Sequence, residues 1–85
     1  MLPIELPVFF NTNETKSLNV AGVNYLYKDC EVKEVCFFNI TYIHKIIDDD
    51  GSEYSKIGVN GDTFIVNMNY NQLIEYIKIY NTNFN

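Results

Sequence analysis

Arginine and tryptophan are missing altogether, and histidine occurs once, as His44. All six basic residues are therefore lysines, set against eleven acidic ones for a formal charge of -5. Partners rich in phosphate need a basic face, and lysine reproduces poorly the bidentate contacts that arginine makes to phosphate and guanine. Nucleic acid is accordingly not among the expected partners. Cysteine is scarce too: Cys30 and Cys36 are the only two, and they lack the paired spacing of a zinc site, so no metal is expected. Within one extended strand they would stand roughly 20 Å apart. That separation predicts unpaired, buried thiols, suited to a reducing cytoplasm.

The four glycines stand singly at turns, which gives neither a phosphate-cradling loop nor a dinucleotide fingerprint, and no cofactor is expected. His44 sits between Ile43 and Lys45 with no nucleophile motif beside it. The carboxylates at residues 48–50 and at Glu31 and Glu34 lie in sequence that predicts water around them rather than a pocket that would raise a pKa. No catalytic residue is assigned, and no enzyme activity is expected. Long apolar runs are absent as well, and residues 1–7 lack the basic start of a signal peptide, so the expectation is a cytoplasmic protein away from membranes.

What the chain does have is 47% hydrophobic and 15% aromatic residues within 85 positions. That is enough for one core and too little for two, giving a single domain over residues 1–80 and a frayed tail at 81–85. Residues 4–10 are apolar but carry Pro7, which suits an edge strand or a covering arm. Residues 11–16 read as a polar loop, and Ala21-Gly22 as a turn. A strand of β-formers begins at residues 23–27, and residues 31–38 continue it or pair with it. On that later stretch Cys30, Val32, Cys36 and Phe38 share one face at a period of two. After Asn39 comes a strand carrying Ile46 or Ile47 inward.

The Asp-rich turn at residues 48–52 leads to the clearest element. Asn60-Gly61 between two β-rich runs is a hairpin signal. A helix follows, with Asn69 as N-cap, Gln72 closing a capping box, and Leu73, Tyr76, Ile77 and Tyr80 at helical spacing. The expected fold is α+β, a small antiparallel sheet with one C-terminal amphipathic helix packed on it. Its core is Ile57, Val59, Phe64, Val66, Leu73 and Ile77.

From residue 39 to 77 the order Asn39-Ile40, Ile43, an acidic turn, Ile57, Val59-Asn60-Gly61, a strand ending at Met68 and an amphipathic helix resembles the small flagellar FlbD-type proteins. More faintly it resembles part of the LytTR DNA-binding domain, whose basic reading loops are missing here. An AT-rich genome encodes such a composition, as in a low-GC bacterium or its phages.

Seven tyrosines and six phenylalanines exceed what so small a core absorbs, and surplus aromatics make interfaces. Tyr25, Tyr27, Tyr42 and Tyr54 are the candidate interface residues. The expected function is a non-enzymatic interaction module that self-associates, with a dimer as the simplest closed state. Two further readings are an acidic phage-type inhibitor of a host protein and a small-ligand sponge binding at a subunit interface.

Overall fold

The computed structural model describes residues 3–84, with side chains through Tyr80. Five strands, β1 (Ile4–Phe10), β2 (Glu31–Phe37), β3 (Ile40–Ile47), β4 (Glu53–Val59) and β5 (Asp62–Val66), form one antiparallel sheet in the order β2-β1-β5-β4-β3. Helix α1 (Asn13–Val20) lies between β1 and β2, and α2 (Tyr70–Phe84) follows β5. The class is α+β with a C-terminal helix, as the periodicities predict; α1 is an addition.

The β4–β5 hairpin and α2 form where their signals stand. Asn60 and Gly61 have φ of 52° and 85°, the left-handed pair that a tight hairpin turn requires. At the start of α2 the Gln72 N–H donates to Asn69 Oδ1 at 2.8 Å and the Asn69 N–H to Gln72 Oε1 at 2.9 Å, a reciprocal cap. Leu73 is fully buried, Tyr76, Ile77 and Tyr80 pack beside it, and the Tyr76 hydroxyl donates to the Glu5 carbonyl at 3.1 Å, tying the helix to β1. The helical backbone continues past Tyr80, where the apolar pattern stops, to Phe84; Asn85 lies outside the described residues.

Four local expectations are corrected. First, β1 is an interior strand despite Pro7. By the Val8↔Val66 register Pro7 faces Asn67, whose N–H donates to the Pro7 carbonyl at 2.8 Å. A residue's N and C=O share a side of a strand, so Pro7 turns away from β2 and its missing N–H leaves the β1–β2 ladder intact.

Second, the loop expected at residues 11–16 opens helix α1 at an N-cap formed by Thr12 and Thr15, where the Thr15 N–H donates to Thr12 Oγ1 at 3.1 Å and the Thr12 N–H to Thr15 Oγ1 at 2.7 Å. The helix ends on Gly22 at φ 74°, with the Val23 N–H reaching the Leu18 carbonyl at 2.9 Å and the Gly22 N–H the Asn19 carbonyl at 3.1 Å, a Schellman closure.

Third, residues 23–26 form no strand and lead into a single 3-10 turn, Tyr27–Asp29. Carboxylates take the backbone donors that a ladder would need: Asp29 Oδ2 accepts the Leu26 N–H at 3.1 Å, and Asp48 Oδ2 the Tyr27 N–H at 2.8 Å. Fourth, Val32, Cys36 and Phe38 do share a face, but it is the exposed one. The β2 residues turned inward are Val35 and Phe37, and Cys36 is exposed while Cys30 is half-buried. On β3, Ile46 is half-buried and Ile47 exposed; Ile40 and Ile43 pack on the core instead.

The sheet is steeply curled. Only Phe38 and Asn39 connect β2 to β3, although these strands stand at opposite ends of the strand order. Asn39, at φ 58°, makes the corner. Phe37 pairs with Ile4, and Phe64 belongs to the row of Phe10 by the Val8↔Val66 register. Those rows lie about 20 Å apart along a flat sheet, yet the two rings are 4.9 Å apart, so the β1–β2 ribbon crosses over the inner face. Inside lie Ile4, Leu6, Val8, Phe37, Ile57, Val59, Val66 and Leu73, with Phe64 and Ile77 partly buried against them.

Among the described residues, Leu73 is the one fully buried residue that α2 contributes to this cluster. We expect Leu73→Ala to cost about 2–5 kcal/mol, measured as a fall in the urea midpoint. An unchanged midpoint would show that the helix does not close the core.

Candidate interaction surface

Val8, Val66 and Ser55 are buried and in register, which fixes the inner face. Phe9, Ile65, Tyr54, Ile46 and Tyr42 alternate to the other side. Helix α2 packs on the inner side through Leu73, and on this side most apolar residues are half-buried. At its centre three rings meet: Phe9 to Tyr54 at 5.0 Å edge-on, Phe9 to Tyr27 at 5.8 Å, and Tyr27 to Tyr54 at 5.8 Å edge-on. Such edge-to-face contacts add to burial itself. Asp48 positions Tyr27 through the backbone bond described above.

Of the four predicted interface tyrosines, Tyr27 and Tyr54 are brought together. Tyr25 flanks them, its hydroxyl donating to Asn11 Oδ1 at 2.8 Å. Tyr42 stands apart, its ring laid over Gly58, where a Cβ would collide with it, and 4.8 Å from the His44 ring. Phe9 was missed. Alternation along β1 points it opposite to Val8, a signal legible only once β1 is known to lie inside the sheet.

Beside the ring cluster, β1 and β5 part. Among the described residues their pairing is confined to Val8↔Val66. Past it, Phe9 and Phe10 on one strand and Thr63, Phe64 and Ile65 on the other line an open cleft of about 330 Å³, walled by Tyr25, Tyr27 and Cys30, with Asn11 at its rim. The Cys30 thiol lies 3.7 Å from Asn11 Oδ1.

Burial pushes the Cys30 thiol above its ordinary range; Asp29 and Asp48 act in the same direction, and a hydrogen bond with the Thr15 side chain acts against them. Tyr27 is raised as well, first by burial and then by the charge of Asp48. Asp50 is lowered, chiefly because Ser52 hydrogen-bonds its carboxylate and then because of Lys28, 3.6 Å away.

No group of three or more His, Cys, Asp or Glu among the described residues could hold a metal ion. No helix among them is long and apolar enough to cross a membrane. No family model matches the chain, and no curated protein or solved structure is similar enough to it to be reported.

Two outcomes follow from the thiols and Tyr27. In native buffer a maleimide should modify exposed Cys36 well before Cys30, and both should react once the chain is unfolded without reductant. Equal native rates would overturn the half-buried placement of Cys30. Because Cys30 and Tyr27 ionise less readily folded than unfolded, the unfolded state releases protons first as pH rises. Stability held at neutral pH should therefore fall from about pH 8.5 upward, through the thiol and then the tyrosine range. Urea titrations at neutral and alkaline pH should show a smaller fall for a Tyr27→Phe, Cys30→Ala variant than for wild type; equal falls would refute the assignment.

Proposed function

We propose that this chain is a non-enzymatic interaction module that associates with itself. The observation that carries the reading is the outer face of the sheet, where Phe9 and Tyr54 meet Tyr27 of the 23–30 segment in a half-buried aromatic cluster beside the half-buried Ile46 and Ile65. Apolar surface of this kind marks contact with another molecule. The carboxylates near it hold backbone: Asp29 Oδ2 accepts the Leu26 N–H, Asp48 Oδ2 the Tyr27 N–H and Asp50 Oδ1 the Ser52 N–H, and His44 stands against the Tyr42 ring.

The cleft beside Tyr25 favours a second reading, a small-ligand sponge, now within one chain rather than between subunits. Its volume is at the lower end of the range for ligand sites, and Tyr25, Tyr27 and Asn11 offer it aromatic walls and a polar rim. The inhibitor reading gains less, because two carboxylates of the acidic turn, Asp48 and Asp50, are engaged within the chain by the Tyr27 N–H and by Ser52 and Lys28.

Light scattering on the purified chain at high micromolar concentration should give the mass of a homo-oligomer, with a dimer favoured. A monomer mass throughout the concentration range would reject self-association and move the sponge reading ahead.

A further inference from the structure

We infer that self-association proceeds through the free edge of β2, which borders the outer face where Val32 pairs with Phe9, joined to the β2 edge of a second copy about a two-fold axis centred on Val35, which extends the sheet across both molecules. This inference rests on the self-association reading above. The sheet has two edges, β2 and β3. β3 carries a register shift between Ile40 and Tyr42, an irregularity that protects an edge against pairing. β2 is seven residues long, regular, free of proline and exposed along most of its length.

The backbone of β1 decides which groups face outward. Pro7 stands opposite Glu34 and turns its carbonyl to Asn67, so Glu34, and by alternation Val32 and Cys36, point their N–H and C=O away from β1. A two-fold partner must pair these residues among themselves. Centred on Glu34, the two strands would set Glu34 against Glu34; centred on Lys33, Lys33 against Lys33. Like charges directly opposite destabilise a pair. Centres further along either way run off the strand into the 3-10 turn or the Asn39 corner.

Centred on Val35, no like charges meet. Glu34 faces Cys36 twice within the strand, and the exposed Val32, 44% accessible, comes opposite the exposed Phe38, 54% accessible, just past the strand's end. Among the described residues, the β2 edge from Val32 to Cys36 pairs with no further strand.

Because Cys36 is exposed and faces Glu34 of the second copy, opposite charges placed there must act in opposite directions. Analytical ultracentrifugation under reducing conditions should show Cys36→Glu weakening the dimer and Cys36→Lys strengthening it, each on the order of tenfold for two cross-strand pairs. Circular dichroism should report both variants folded. A wild-type dimer that neither substitution alters, or that both weaken, overturns the Val35-centred edge and leaves self-association standing. A wild-type monomer overturns both.

Discussion

The junction of Pro7 and Val8 with Val66 and Asn67 is the constraint on which the rest of the molecule depends. Among the described residues it is the one place where the β1–β2 ribbon is joined to the β3–β4–β5 sheet by the ladder, and Pro7 removes one of the two bonds that its narrow pair with Asn67 would make. A short joint does not hold two sub-sheets parallel. The ribbon is free to cross steeply, and burial of Leu6, Val8, Phe37 and Leu73 drives it to do so. The same divergence opens the cleft on the far side of Val8, so the curl of the core and the cleft have a common cause.

How far the sequence announces this architecture depends on where each signal resides. The Asn60-Gly61 turn and the Asn69–Gln72 cap are local chemistry, and both are where their residues place them. β1 is not local: its proline weighs against an interior strand unless one knows that the Pro7 nitrogen faces the short ladder rather than the long one. Helix α1 escaped because its cap uses threonine where glutamate or glutamine is the common partner, and because NETKSLNV has no apolar stripe; Thr15 is its only buried residue. Residues 23–27 are β-formers, but Asp29 claims the Leu26 N–H and Asp48, far along the chain, the Tyr27 N–H. Propensity lost to a side-chain acceptor that only the fold brings near.

The candidate surface was half legible for the same reason. Surplus tyrosine in the composition points to an interface, and Tyr27 and Tyr54 do meet on the outer face. Their convergence on Phe9 depends on strand order, which no spacing encodes. Tyr42, read in the same class, is instead bound into the sheet by Gly58, the residue whose missing Cβ makes room for its ring.

The acidic excess and the aromatic face are connected through one residue. Asp48 holds the Tyr27 backbone with its carboxylate, and the Tyr27 ring closes the cluster with Phe9 and Tyr54, so the acidic turn between β3 and β4 sets the position of the 23–30 segment over the sheet. The inner face is filled mainly by aliphatic side chains: Leu6, Val8, Ile57, Val66 and Leu73 are each wholly buried. The core therefore has little need of the three outer rings. What they fasten is the segment linking α1 to β2, and β2 is the strand whose other edge lies open. A turn rich in negative charge thus acts, through one backbone hydrogen bond and three rings, on how firmly that edge strand is anchored.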